Sequence, residues 1–78
     1  MKVWLLSLLD YEGVEPLSLH RSLDIAKAKA ERLLAEHHAK VRAGGGYIVK
    51  EYQNPQWYGS GSGWFYGGYH IMEMEIEE

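Results

Sequence analysis

Only one stretch of this chain, residues 23 to 41, carries a convincing helical period; the other apolar runs alternate in a strand-like way or are cut by glycine and proline. A chain written this way must form a sheet and use its single helix to cover one face of it. At about 100° per residue, Leu23, Ala26, Ala30, Leu33, Leu34, His37 and Val41 fall on one side of the helix, the side expected to pack on the sheet. Ser22 is placed to cap the N-terminus, and Asp24 adds negative charge at the positive end of the dipole. Lys40, Arg42 and the run Gly44-Gly45-Gly46 mark the stop, through dipole matching and a glycine free to take the left-handed cap. Lys27 with Glu31, Arg32 with Glu36 and Glu36 with Lys40 are spaced for surface pairs, each contributing a few tenths of a kcal/mol. Ile25, Ala28, Arg32, Ala35 and Ala39 form an outward stripe, explained either by the helix preference of alanine or by the close approach of a second helix.

Lys2 to Asp10 reads as a strand with Val3, Leu5, Ser7 and Leu9 on one face and Trp4, Leu6, Leu8 and Asp10 on the other. Both faces are mostly apolar, so the strand belongs inside its sheet with cover on two sides. One helix supplies only one cover, and the second is expected from another subunit. Tyr11-Glu12-Gly13 is a turn, and Val14 to about Arg21 returns as a hairpin strand. Pro16 makes that strand an edge, because it donates no ladder hydrogen bond. Tyr47 to Asn54 is expected as a third strand closed by Pro55, and Tyr69 onward as a fourth. In the fourth, His70, Met72, Met74 and Ile76 share one face and Tyr69, Ile71, Glu73 and Glu75 the other, with the methionine side expected to face the core. The fold expected is α+β in the order ββαββ, a single domain over residues 1–78: a four-stranded antiparallel sheet with one helix packed on one face and a homodimer partner on the other.

The chain has 78 residues and no cysteine, which excludes a disulfide framework and a thiolate metal site and fits a reducing cytoplasm. The run Val3 to Leu9 is too short for a membrane span, and Asp10 and Glu12 follow it with no small-residue cleavage site; the expectation is a soluble cytoplasmic protein with no membrane partner. The net charge of −3 is unevenly placed, with a basic helix region and an acidic tail ending in Glu73, Glu75, Glu77 and Glu78. Duplex nucleic acid needs a broad positive field, so it is not expected as a partner.

The compositional outlier is residues 57 to 69, which hold six of the ten aromatics and five of the nine glycines. A long hairpin connection is expected there, with aromatic flanks around the Gly59-Ser60-Gly61-Ser62-Gly63 run. Glycines let a ligand approach the backbone, and rings supply rigid contact area, so Trp57, Tyr58, Trp64, Phe65, Tyr66 and Tyr69 are the candidate partner- or ligand-binding residues. The alternative is structural, since aromatics in a small protein also fill its core or clasp a hairpin. Base stacking on Trp57, Trp64 or Tyr66 would suit a small nucleotide, although residues 51 to 78 carry no lysine or arginine to meet its phosphate.

Catalytic signatures are missing. His20, His37, His38 and His70 do not form an H-E-x-x-H motif, and His37 and His38 project about 100° apart on a helix. His37 on the inner helix face and His70 on the core face of its strand could meet, and a hydrogen-bonded core histidine fits such a position better than a metal ligand. Neither a phosphate loop nor a nucleophile elbow accompanies the glycines. A non-enzymatic protein with no cofactor and no metal is expected.

The run Val3-Trp4-Leu5-Leu6, the hairpin, Ser22-Leu23-Asp24 leading into an Ala26-containing helix, and the closing pattern Tyr69-x-Ile71-x-x-x-Glu75 together resemble small uncharacterised phage and bacterial accessory proteins of the strand-hairpin-helix-strand type. The extra aromatic Gly/Ser hairpin departs from that pattern. What the resemblance implies is an intracellular protein that binds and blocks a host component, including a defence component. Three functional expectations follow: a protein-binding homodimer working through the aromatic hairpin, a nucleotide-sequestering protein with an aromatic pocket between subunits, and a purely structural homo-oligomer.

Overall fold

The computed structural model describes residues 1–10, 12–60 and 63–77, with side chains throughout except at Glu51 and Ser60. Strand β1 (Lys2–Asp10) pairs antiparallel with β2 (Gly13–His20) from Trp4↔His20 to Asp10↔Gly13. Tyr11 of the expected turn lies outside the described residues; beside it, the Glu12 amide donates to Asp10 Oδ1 at 2.8 Å. The register slips between Leu6 and Ser7, which pair with Ser18 and Pro16, so Leu17 is an extra, bulged residue. Pro16 sits on the sheet edge, as expected.

Helix α1 (Leu23–Ala43) starts where Ser22 Oγ accepts from the Ile25 amide at 3.4 Å. It runs two residues past Val41. The Gly46 amide donates to the Val41 carbonyl at 2.8 Å, and the left-handed residue of the exit is Gly45, at φ 77°. Ala26, Ala30, Leu34 and His38 are the buried positions. His38 therefore replaces His37, which is exposed. A stripe of four-residue steps drifts around the helix by about 40° per step, and over three steps that drift carries the contact line from Ala26 to His38.

The expected strand over 47–54 is not formed. Tyr47 to Val49 is irregular, and Lys50–Gln53 makes a single helical turn, α2, closed by Tyr52 N donating to Val49 O at 2.9 Å and by Gln53 Nε2 donating to Ile48 O at 2.9 Å. The third place is taken instead by β3 (Tyr58–Ser60) and β4 (Gly63–Tyr66), and the expected strand from Tyr69 is present as β5 (Tyr69–Glu75), giving a five-stranded antiparallel sheet of order β2-β1-β5-β4-β3. The architecture is α+β as expected, with five strands rather than four. The aromatic stretch is mostly sheet; Gly61 and Ser62 of its Gly/Ser run, like Glu78 of the acidic tail, lie outside the described residues.

Strand pairing fixes the two faces. Trp4, Leu6 and Leu8 of β1, Tyr69 and Ile71 of β5, and Trp64 and Tyr66 of β4 share the side that meets α1, where Leu6, Ala26, Ala30, Leu34, Tyr69 and Ile71 form the buried cluster. The expected orientation of β5 is thus reversed. Ile71 is fully buried, whereas Met72, Met74 and Ile76 are exposed. Alternation tells which residues travel together; the helix selects the face whose branched Ile71 and flat Tyr69 rest against its small Ala26 and Ala30. Among the described residues, no helix is long and apolar enough to cross a membrane.

Candidate functional site

The six aromatic candidates divide between the two sides of the sheet. On the helix side, Trp57 stacks on Tyr66 with ring centroids 4.7 Å apart, and its indole N–H donates to Glu31 Oε1 at 2.7 Å. The Lys27 ammonium lies 5.3 Å from the Trp57 ring and 5.8 Å from the Trp64 ring. Lys27 and Glu31, spaced as a helical ion pair, are therefore both engaged with Trp57. Of the other two expected pairs, Arg32 and Glu36 approach to 3.9 Å. Burial raises the Tyr66 pKa, and Glu31 adds to the shift by opposing a second negative charge; Tyr69 is raised in the same way by burial and then by Glu36. Trp57, Trp64 and Tyr66 are half-buried and pack against the cluster formed with α1.

On the opposite side, Tyr58, Phe65 and His70 line up across β3, β4 and β5. Their rings stack in sequence, at 5.6 Å for Tyr58–Phe65 and 4.5 Å for Phe65–His70. His70 thus faces away from α1, and it does not meet His37. His37 instead lies beside His38, with ring centroids 6.3 Å apart. Burial lowers the His38 pKa, with smaller contributions from Arg42 and His37; burial, then Lys29, lowers that of His20, whose Nε2 lies 2.7 Å from Ser18 Oγ. Among the described residues, no group of three or more His, Cys, Asp or Glu side chains is placed to hold a metal ion.

Two adjoining hollows open at the end of the sheet where β4 turns into β5. One, of about 320 Å³, lies between α1 and the 47–52 segment, with Leu34, His38, Tyr47, Val49 and Tyr52 in its wall. The other, of about 310 Å³, is bounded by Pro55, Gln56, Tyr58 and Phe65. They share Leu9, Tyr52, Gly67, Gly68 and Tyr69, so they form one bent groove. Gly67 and Gly68 make the two-residue turn between Tyr66 and Tyr69, with φ of 50° and 95°, the left-handed pair that a tight hairpin requires. A side chain on Gly67 would meet Leu34 Cδ2 at 2.6 Å, so glycine there keeps the groove floor against the helix.

Three of the sequence candidates, Tyr58, Phe65 and Tyr69, line this groove. Tyr47, Tyr52, Pro55 and His38 were not among the candidates. The signal for three of them was the same misread segment: two tyrosines five residues apart, followed by a proline, suit a turn that presents rings better than a strand. No lysine or arginine lines either hollow among the described residues.

No family model, curated protein or solved structure matches the chain.

Proposed function

We propose that this chain is a non-enzymatic protein-binding module that takes an apolar segment of a partner protein into the bent groove at the end of its sheet. Tyr52 is the hinge of the groove, with Tyr58 and Phe65 on one arm and Tyr47 on the other. What supports this reading is a single observation: two hollows sharing five residues, walled by tyrosines and aliphatic side chains, with exposed Tyr47 and Tyr58 at the rims. Tyrosine gives rigid contact area at low entropic cost and recurs where a few residues carry most of a binding energy. The resemblance noted in the sequence points to a host component, including a defence component, as that partner. A nucleotide fits less well, because its phosphate meets no lysine or arginine among the described lining residues.

Panning a random peptide display library on the purified chain tests this. Enriched peptides are expected to share an aromatic or branched aliphatic anchor and to lose at least tenfold in affinity on Tyr52→Ala, the cost of an interface hot spot of about 1.4 kcal/mol or more. Peptides that bind Tyr52→Ala and Tyr58→Ala as well as the parent would refute the groove. Thermal stabilisation by millimolar nucleotide, abolished by the same substitutions, would replace the protein partner with a nucleotide.

A further inference from the structure

The groove leaves most of the other side of the sheet unexplained. Leu5 and Leu9 of β1, Val14 and Leu19 of β2, and Met72 and Met74 of β5 all point away from α1, and no charged side chain of β1, β2 or β5 pairs among them. Val3 and Ser7 on the same side are buried, Leu5 is half-buried and half-buried Leu9 borders the groove, but Val14, Leu19, Met72 and Met74 remain exposed. Leu19 is 57% exposed and Met72 39%. At about 3.4 Å along and 4.8 Å across per residue, β1, β2 and β5, the strands outside the groove arm, present roughly 390 Å² in projection. The accessible area of a side-chain-covered face exceeds its projection, which brings this one towards the roughly 600 Å² per partner at the low end of specific interfaces.

We infer that this face is covered by a second copy of the chain, sheet against sheet, in a two-fold dimer. The edges direct association there. β2 carries Pro16 and the Leu17 bulge, and β3 is only three residues long, so neither outer strand is a good template for edge-to-edge pairing. An uncharged face also opposes itself without like-charge repulsion, the condition an isologous contact imposes. The interior is thin by comparison: Leu6 and Ile71 are the largest side chains buried completely. Doubling the sheet supplies the second layer that a chain of this length otherwise lacks.

The topology also identifies the centre of the contact. β5 is the third of five strands, and Met72 is the fourth of its seven residues. A two-fold axis through the middle of the face therefore brings Met72 of one copy close to Met72 of the other, across a sheet spacing of about 10 Å. Leu5, paired with Met72, and Leu19, paired with Leu5, extend the contact to the edge and away from the groove.

The test uses the whole chain. Light scattering after size exclusion, at about 100 μM and below, is expected to give twice the 9.0 kDa chain mass, falling to a single chain on Met72→Glu. The absence of cysteine allows a second measurement: Met72→Cys should be linked into covalent dimers by a short bis-maleimide, whereas Ile25→Cys, exposed on the outer side of α1, should not. The cross-link decides the matter if Met72→Glu does not fold. A monomeric parent, a dimer that survives Met72→Glu, or a dimer lost instead on Ile25→Glu overturns the inference. Because Met72 does not line the groove, peptide binding by a monomeric Met72→Glu chain would separate the fate of the dimer from that of the groove.

Discussion

Replacing Gly67 by alanine should disturb the end of the sheet in two separable ways. The residue sits at φ 50°, where an L side chain costs about 1–2 kcal/mol. Its new methyl would also lie 2.6 Å from Leu34 Cδ2 and 3.4 Å from Pro55 Cβ. The Leu34 methyl is the far end of a flexible side chain, but Leu34 is only 5% exposed and cannot swing into solvent, so overpacking adds about 1–3 kcal/mol. Together Gly67→Ala should cost about 2–5 kcal/mol. In a Leu34→Ala background, itself destabilised by about 2–5 kcal/mol, the obstructing methyl is gone and Gly67→Ala should cost only about 1–2 kcal/mol. Urea unfolding of the four chains therefore closes a double-mutant cycle with a coupling of about 1–3 kcal/mol. Gly68→Ala is the control. At φ 95° it is strained, but the nearest atom to its new methyl would be Leu9 O at 3.9 Å, so its cost should not change with Leu34. Additive costs at Gly67, within about 0.5 kcal/mol, would refute the packing of this turn against α1.

Further expectations concern protons and single groups. His20 and His38 have pKa values lowered by folding, so the unfolded chain takes up their protons first as the pH falls; the stability they contribute is complete above about pH 6.5 and is lost as the pH drops towards their folded values. Tyr66 and Tyr69 are raised, so the unfolded chain loses their protons first and stability falls above about pH 10; urea midpoints across pH should show both limbs, the acid limb shrinking in His38→Gln and the alkaline limb in Tyr69→Phe. Ser22→Ala should cost about 0.5–1 kcal/mol in thermal unfolding, at the low end for a cap because the bond is long at 3.4 Å; Ser22→Gly should cost less. The Trp4 indole N–H is buried without an acceptor among the described residues, so Trp4→Phe, which removes that donor, should be within about 1 kcal/mol of neutral despite the lost volume; a cost above about 3 kcal/mol would show that the donor is satisfied.

What the sequence made legible was local in origin. The cap at Ser22, the glycine stop, the edge proline and the pairing of β1 with β2 each depend on residues a few positions apart, and all are present as read. The features that differ from the sequence expectation depend on distant partners. His37 and His38 differ by one helical position, and only the sheet beneath decides which is buried. The parity of β5 was legible, but not its polarity, because Met72 and Ile71 are equally apolar until Ala26 and Ala30 are placed above one of them. Tyr47 to Asn54 alternates well enough for a strand, yet both sheet edges are occupied by β2 and β3, and a segment without a neighbour closes its hydrogen bonds on itself, as Tyr52 and Gln53 do. Of the six aromatics that composition singled out, Tyr58, Phe65 and Tyr69 line the groove and Trp57, Trp64 and Tyr66 pack towards α1, a division that depends on where the distant helix lies.

The strand order also bears on how the chain reaches this state. β5 follows every other strand in sequence yet lies between β1 and β4, so the middle of the sheet is the last part to be made. Until it arrives, the β1–β2 hairpin and the β3–β4 hairpin share no strand neighbour, only α1, and neither hairpin is expected to persist alone in water. Closure between residues at opposite ends of the chain pays its entropy before it gains contacts, which slows folding. During synthesis β1 therefore has one flank unpaired until β5 follows, and removal of β5 would leave two hairpins joined only through α1 in place of a smaller sheet.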